Sequence, residues 1–144
     1  MNGIDILINK QIDNTELISA LSKLLTIPPT EILIVYDISE LEKQNPPYQL
    51  LCQKVEIQGD FSLLLSLYPQ NEATNELTKQ LQNYAFTGKL GEILGCACLI
   101  SDDTIDPYQW ILIQNNKNWQ IVELDPDKLD DHESYVISKS LVTS

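Results

Sequence analysis

Two stretches of this sequence carry the pattern of a β-hairpin. In residues 108–125, two apolar, strand-like runs flank a polar turn at residues 115–118. In residues 48–68, apolar and polar side chains alternate on both sides of a turn at residues 59–60. Alternation with a period of two is typical of antiparallel strands that bury one face of a sheet. The chain is therefore predicted to be built around two hairpins.

The elements that precede each hairpin occur in the same order along the chain. Residues 13–68 and residues 72–125 each predict a helix, a strand and then a hairpin that opens with Pro-Tyr-Gln. We interpret this order as an α-β-β-β pseudo-repeat, with chance similarity within a strand-rich domain as the alternative. Residues 1–11 fit either a short strand or an ordered tail, and residues 126–144 form a C-terminal tail with strand-like character.

The predicted fold class is α+β. A chain of 144 residues fits a single domain spanning residues 1–144. Apolar runs rich in β-branched or small residues, at residues 31–36 and 96–100, are predicted as short buried strands beside the hairpins. The elements assemble into a single, mostly antiparallel sheet of about six strands, with two or three helices packed on one face.

The first helix has a clear start signal. Asp13 is followed three residues later by Glu16, as in a capping box, and leucines then recur at helical spacing. A second helix is predicted to begin near Asn71 and to break at residues 87–88, where glycine follows threonine.

Acidic residues outnumber basic ones strongly. The chain has 21 acidic and nine basic residues, so the net charge is −12 and the isoelectric point is near 4.2. All nine basic residues are lysines. Because nucleic-acid-binding proteins neutralise phosphates with lysine and arginine, we expect no nucleic-acid partner. A strongly negative surface instead favours a basic protein partner, or serves only to keep the protein soluble.

The sequence carries no recognisable membrane or targeting signal. No apolar run approaches the length of about 20 residues that a membrane-spanning helix needs, so we expect no membrane association. The N-terminal stretch contains Asp5 and lacks the basic segment and long apolar run of a secretory signal. Three cysteines, an odd number, are too few for a disulfide scaffold. These features predict a cytoplasmic protein with reduced thiols.

The three cysteines and the single histidine are the residues from which a zinc site or a nucleophilic centre could be built: Cys52, Cys96, Cys98 and His132. Cys96 and Cys98 lie inside an apolar run rather than at the loop spacing usual for structural zinc, so we interpret them as core residues. His132 lies in a charge-rich segment that is predicted to face water. We therefore predict no metal, no cofactor and no catalytic residue, and a protein that is not an enzyme.

The acidic bias is concentrated between residues 101 and 135. This stretch contains nine acidic residues and two lysines, which accounts for −7 of the net charge, together with four aromatic residues. Acidic side chains steer a basic partner, and buried aromatic side chains often dominate binding energy. We predict a partner-binding surface formed by Asp102, Asp103, Asp106, Tyr108, Trp110, Trp119, Asp125, Asp127, Asp130 and Asp131. The alternative is that both tryptophans are core residues and that residues 125–133 form an exposed acidic turn.

The leading functional hypothesis is a non-enzymatic module that binds a basic protein. In size and charge the chain resembles bacterial immunity proteins, which neutralise toxins such as nucleases. One alternative is a small-molecule-binding or sensing domain with a pocket between the two half-units. Another is an enzyme that depends on carboxylates or on a metal at Asp102, Asp103 and Asp125. If the second face of the sheet is open, Leu64 and Trp110 are expected to support a homodimer or partner contact.

Overall fold

The computed structural model of the protein describes residues 3–37, 48–70, 74–101, 105–115 and 118–143. Within these ranges the chain forms four α-helices and ten β-strands. The helices are α1 (Asn14–Leu25), α2 (Thr74–Leu81), α3 (Tyr84–Leu94) and α4 (Pro126–His132). The strands are β1 (Ile4–Ile8), β2 (Ile32–Val35), β3 (Leu50–Glu56), β4 (Gln58–Gly59), β5 (Leu63–Pro69), β6 (Cys98–Ser101), β7 (Gln109–Asn115), β8 (Asn118–Leu124), β9 (Ser134–Tyr135) and β10 (Ile137–Thr143).

The N-terminal strand β1 lies in the middle of the main sheet. Eight of the described strands form this sheet in the order β10-β8-β7-β6-β1-β5-β3-β2. β1 pairs antiparallel with β5 along its whole length, and with β6 at Leu7 and Ile8. The edge strand β2 runs parallel to β3, so the sheet is mixed. The short strands β4 and β9 form a separate parallel ladder.

Both predicted hairpins are confirmed. β3 pairs antiparallel with β5, and β7 pairs antiparallel with β8. The α+β class is also confirmed, but the predicted numbers of elements, about six strands and two or three helices, were too low. In the described part of the chain, the main sheet has eight strands and there are four helices. The expected antiparallel arrangement holds for most neighbours and fails for the pair β2–β3.

The additional elements come from the two ends of the chain, where the sequence pattern is weakest. The run from Ile6 to Ile8 is fully buried because helices cover one face of β1 and a second apolar cluster covers the other. A strand that is buried on both faces has a continuous apolar run instead of an alternating one. The periodicity of its apolar residues therefore cannot distinguish it from a buried helical segment. At the C-terminus, α4 is short and polar, with half-buried Leu129 as its apolar anchor.

The apolar residues of the described chain form three clusters: a large one under the helices, a smaller one on the opposite face, and a third around Leu51 on β2 and β3. Helices α1, α2 and α3 pack on one face through residues such as Leu21, Leu81 and Leu90, which are at most 2% exposed. The opposite face is covered near β6, β7 and β8 by a smaller cluster that includes Leu129 of α4 and residues of β9. None of the described helices is long and apolar enough to cross a membrane.

The smaller cluster bears on the expected homodimer contact. Leu64 and Trp110 are both half-buried, and both pack into this cluster beside α4 and β9. The second face of the sheet is therefore covered at these two residues. The homodimer contact was expected only if this face were open, and it is not open there. Whether the protein forms a homodimer stays a prediction.

The helix starts follow the chemistry of capping. The carboxylate of Asp13 accepts a hydrogen bond from the backbone N–H of Glu16 at 2.7 Å, which confirms the predicted start of α1. The predicted start of the second helix near Asn71 lies outside the described residues, and the predicted break at residues 87–88 is wrong. α3 begins after Asn83, whose side chain accepts the N–H of Ala85 at 2.9 Å, and it continues through that position. Thr87 and Gly88 are both buried there, so tertiary packing overrides the weak local propensity of glycine.

The two half-units share an order of elements but not an order in the sheet. In residues 72–125 the first strand, β6, lies next to the central β1 and is antiparallel to β7. In residues 13–68 the first strand, β2, lies at the far edge and is parallel to β3. The pseudo-repeat therefore stays a prediction about the chain order of the elements.

Leu7→Ala is expected to lower the free energy of unfolding by about 2–5 kcal/mol, because it leaves a cavity where the central strand is paired on both sides. Leu7 is 1% exposed. Chemical denaturation followed by circular dichroism measures the change. The control Leu141→Ala, at a leucine that is 40% exposed in the edge strand β10, is expected to cost less than about 0.5 kcal/mol. Equal losses in the two variants would contradict the central role of β1.

Candidate functional site

Tyr108, immediately before β7, lies among several carboxylates. Its hydroxyl donates a hydrogen bond to Oδ2 of Asp130 at 2.5 Å, and its backbone N–H donates to Oδ1 of Asp106 at 2.9 Å. The pKa of Tyr108 is raised, first because its hydroxyl is bonded to Asp130, and also because Asp130, Asp106 and Asp127 are negatively charged. Asp106, which precedes the strand, and Asp127 and Asp130 of α4 thus lie close to one aromatic side chain.

The acidic segment after β8 is a helix with a defined cap. Oδ1 of Asp125 accepts the backbone N–H groups of Asp127 and Lys128 at 3.0 and 3.2 Å, and proline at the first helical position supports the same start. Asp127, Asp130 and Asp131 are exposed on α4. The expected exposed acidic turn is thus a two-turn helix, in which Asp125 has a structural role and the other three carboxylates face solvent.

Trp110 is held in place by a hydrogen bond and by a second aromatic ring. Its indole N–H donates to the carbonyl oxygen of Pro107 at 3.0 Å. Its ring packs edge-on against Tyr135, with 6.2 Å between the ring centroids and 82° between the planes. Such a pair is rigid compared with an isolated surface side chain, so Trp110 presents its remaining ring surface in a fixed orientation.

The turn of the first hairpin positions Tyr135. β4 pairs with β9, and the N–H of Asp60 donates to the carbonyl oxygen of Tyr135 at 2.9 Å. Gly59 has a φ of 106°, and a Cβ atom at this position would lie 2.6 Å from that same carbonyl oxygen. Only glycine permits this close approach. The two hairpins, which are distant in sequence, therefore meet at the pair formed by Trp110 and Tyr135.

These contacts define one surface, which we call the acidic–aromatic surface. It consists of Asp106, Tyr108, Trp110, Asp125, Asp127, Asp130 and Tyr135. Asp131 is exposed on the same helix. Trp119 does not belong to it, because Trp119 lies at the far end of the hairpin and packs against the helix-covered core. Asp102 and Asp103 lie outside the described residues.

A cleft of about 860 Å³ lies next to this surface. It opens where β1 and β6 separate beyond their two paired residues. Its walls include Asp5 of β1, Ser101 of β6, Trp110 of β7, and Asn83, Tyr84 and Thr87 at the start of α3. Trp110 is common to the cleft and to the acidic–aromatic surface. The pKa of Tyr135 is raised mainly by partial burial and also by the negative charges of Asp5 and Glu133, so Asp5 is close to that surface as well.

The site residues predicted from the sequence did not include Asp5, Asn83 or Tyr84. Each is an ordinary surface residue in its own local sequence. They come together because β1 is placed beside β6 and because the turn between α2 and α3 lies above that junction. Such an arrangement depends on strand order, which no local pattern in one sequence reveals. Tyr135, in contrast, was close to the charge cluster in sequence and could have been included on that basis.

The cysteines differ in accessibility and in acidity. Burial raises the pKa of Cys52 to about 12, although the nearby Lys54 ammonium opposes this. The Cys98 thiol donates to the carbonyl oxygen of Thr87 at 3.7 Å, and its interaction with Cys96 and its burial raise its pKa. The interaction with Cys98 lowers the pKa of Cys96, and the charge of Lys10 acts in the same direction, although partial burial opposes them. Cys96 thus combines a lowered pKa with partial exposure, whereas the pKa values of the two buried thiols are raised.

No metal-binding arrangement occurs in the part of the chain that the structure describes. There, no three His, Cys, Asp or Glu side chains are grouped closely enough to hold an ion. The carboxylate of Asp125, which was considered as a ligand in the enzyme alternative, is bonded to the first turn of α4. That alternative therefore gains no support from the position of Asp125.

Comparison with known proteins gives no relative from which a function could be transferred. No protein-family model matches the chain, and neither the curated proteins nor the solved structures contain a significant match.

Alkylation with iodoacetamide at about pH 8 is expected to modify Cys96 first, because a lowered pKa and partial exposure favour the reactive thiolate. Mass spectrometry of peptides sampled over time measures the order of modification. In Cys96→Ser the fast phase should disappear, while Cys52 and Cys98 react only on unfolding. Equally fast modification of Cys52 or Cys98 in the folded protein would contradict this order.

Asp130→Asn is expected to lower the pKa of Tyr108 towards its ordinary value. The amide oxygen can still accept the hydroxyl proton, but it no longer opposes the negative charge of the phenolate. Carbon NMR of tyrosine labelled at Cζ, recorded across the alkaline range, measures this titration. Asp131→Asn serves as the control and should have a smaller effect. An unchanged Tyr108 titration in Asp130→Asn would show that the two side chains are not bonded in solution.

Proposed function

We propose that this protein is a non-enzymatic binding module whose acidic–aromatic surface engages a basic protein partner. The observation that carries the proposal is the environment of Tyr108. Its side chain lies among the carboxylates of Asp106, Asp127 and Asp130, and Trp110 stands nearby on the same hairpin. Negative charge at the rim of an interface accelerates encounter with a basic partner, and aromatic side chains at its centre supply most of the binding energy.

The distribution of lysines supports this proposal. Lys54 is 8% exposed, and its ammonium group donates to the carbonyl oxygen of Ile12 and to Oδ1 of Asn14. Lys10 donates to the carbonyl oxygen of Leu94 at 3.0 Å, at the end of α3. These two cations serve internal contacts, so they do not neutralise the acidic–aromatic surface.

The lysine closest in sequence to this surface is Lys128. It lies on α4, where it opposes the charges of Asp127, Asp130 and Asp131. Among the described residues, no lysine forms an ion pair with any of these three carboxylates. The surface therefore keeps a net negative charge that a partner can complement.

The specific form of the proposal is neutralisation of a basic toxin within the cytoplasm. A small protein with a net charge of −12 can cover the cationic surface with which a toxin such as a nuclease approaches nucleic acid. This specific form rests on size and charge alone.

A small-molecule-binding or sensing function is the second candidate. The cleft of about 860 Å³ favours it, because this volume lies within the range of ligand sites, and aromatic and polar residues converge on it. The two candidates differ in salt dependence. An interface governed by exposed charges weakens in concentrated salt, whereas a ligand that is held in the cleft mainly by apolar and hydrogen-bond contacts is less affected.

The double variant Asp127→Asn/Asp130→Asn is expected to weaken binding of a basic protein by about tenfold or more, because complementary charges near an interface set both encounter rate and affinity. Lysozyme and a core histone dimer are suitable basic probes, with serum albumin as the acidic comparison. Biolayer interferometry at low salt and at about 1 M salt, where the Debye length is about 3 Å, measures affinity and its salt dependence.

The matched control is Glu16→Gln/Glu56→Gln, which changes the net charge by the same amount. Both glutamates are exposed, and they lie on α1 and at the end of β3, outside the set of residues that forms the acidic–aromatic surface. This control should weaken binding less than about twofold, as expected for remote charges. Equal weakening by both double variants would show that only the total charge matters. Absence of binding to every basic probe, with a thermal shift on adding small metabolites, would favour the second candidate.

A further inference from the structure

We infer that the cleft beside β1 is the specificity pocket of this protein and that it receives an arginine or lysine side chain from the basic partner. This inference rests on the proposed function and deepens it. The exposed acidic–aromatic surface attracts cationic proteins in general, whereas a shaped cleft selects one side chain and the residues next to it. The cleft and the surface share Trp110, so one partner segment can contact both.

Asp5 provides the charge within the cleft. Its Oδ1 accepts a hydrogen bond from the hydroxyl of Ser66 at 2.7 Å, and Ser66 is 5% exposed on the neighbouring strand β5. The buried hydroxyl fixes the orientation of the carboxylate. Within the described residues, Oδ2 of Asp5 has no hydrogen-bond donor, and the side chain is exposed. A carboxylate has acceptor sites on both oxygens, so Asp5 can accept a guanidinium or ammonium group.

Two aromatic residues form the walls that suit such a cation. Trp110 is half-buried, is held by its hydrogen bond to Pro107 and by the ring of Tyr135, and is one of the residues that line the cleft. Tyr84, at the first position of α3, is 45% exposed and lies on another wall. Cations bind favourably over the faces of tryptophan and tyrosine rings, and arginine also stacks on them.

The charges around the cleft favour a cation over an anion. None of the described lining residues is a lysine or histidine. The start of α3 contributes a positive helix dipole, but this acts over the first turn only, and the side chain of Asn83 already accepts the N–H of Ala85. On the other side, Asp5 carries a full negative charge close to Tyr135, where Glu133 adds a second one.

The size of the cleft indicates how much of the partner enters it. A volume of about 860 Å³ is near the upper end for pockets that hold small ligands, and it exceeds what one side chain fills. The walls beyond Asp5 and Trp110 carry amide and hydroxyl groups from Asn83, Thr87 and Ser101. We therefore assign to the cleft a basic side chain together with the neighbouring residues of an extended partner segment.

The test uses NMR of the wild-type chain and a hexa-arginine peptide with blocked termini. The protein has two tryptophans, so it gives two indole N–H resonances, which Trp119→Phe assigns by removing one of them. The peptide should shift the Trp110 resonance and leave that of Trp119, which packs against the helix-covered core, in place. Asp5→Asn should weaken peptide binding by about tenfold, whereas Glu16→Gln should weaken it less than about twofold.

Each other outcome has a defined meaning. Suppose that the peptide binds and that Asp127→Asn/Asp130→Asn weakens this binding, while Asp5→Asn leaves the affinity unchanged and the Trp110 resonance does not shift. The cleft inference is then wrong and the proposed function stands. If no basic peptide or protein binds, the proposed function is wrong, and the cleft inference, which rests on it, is wrong as well. If spermine displaces the peptide and binds the cleft more tightly than hexa-arginine, the cleft is a small-molecule site, which overturns the inference. Unchanged circular dichroism and melting curves verify that Asp5→Asn remains folded.

Discussion

The strand β1 is paired along both of its edges, with β5 on one side and β6 on the other. Its side chains enter two of the three apolar clusters, since Ile6 and Ile8 face α1, α2 and α3 while Leu7 faces the smaller cluster under α4 and β9. Without β1, the strands β5 and β6 would each present an unpaired edge, and each cluster would lose residues at its centre. The continuity of the sheet and of both cores therefore depends on one short strand near the N-terminus.

The same strand creates the cleft because its pairing with β6 is short. β1 continues past its two paired residues to Asp5 and Ile4, while β6 ends at Ser101, and the start of α3 lies across the gap. Most of the described residues that line the cleft therefore belong to strands and helices. Groups placed on strands and helix ends are oriented more accurately than groups on loops, which is what selective recognition of one side chain requires.

Apolar residues on both faces of the sheet leave the ends of its strands and the exposed side of α4 for the charged residues. At the end of the second hairpin, carboxylates accumulate around Tyr108, where they repel one another. The hydroxyl and the backbone N–H of Tyr108 donate to Asp130 and Asp106, but neither hydrogen bond removes the net charge. Under the proposed function, a cationic partner would remove this repulsion on binding, so the electrostatic cost in the free protein would favour that partner over neutral or acidic proteins.

The sequence by itself determined the two hairpins, the α+β class, the capped start of α1 and the acidic stretch around Tyr108. These features depend on local pattern, because alternation, capping chemistry and charge are all contained within a few neighbouring residues. Only the tertiary structure decided the central position of β1, the passage of α3 through Thr87, and the separation of Trp110 from Trp119 on opposite faces. It also decided that Asp5, Tyr84 and Trp110 share one cleft. The physical reason is that strand order and burial on both faces arise from contacts between residues far apart in the chain, which leave no periodic trace in any one segment.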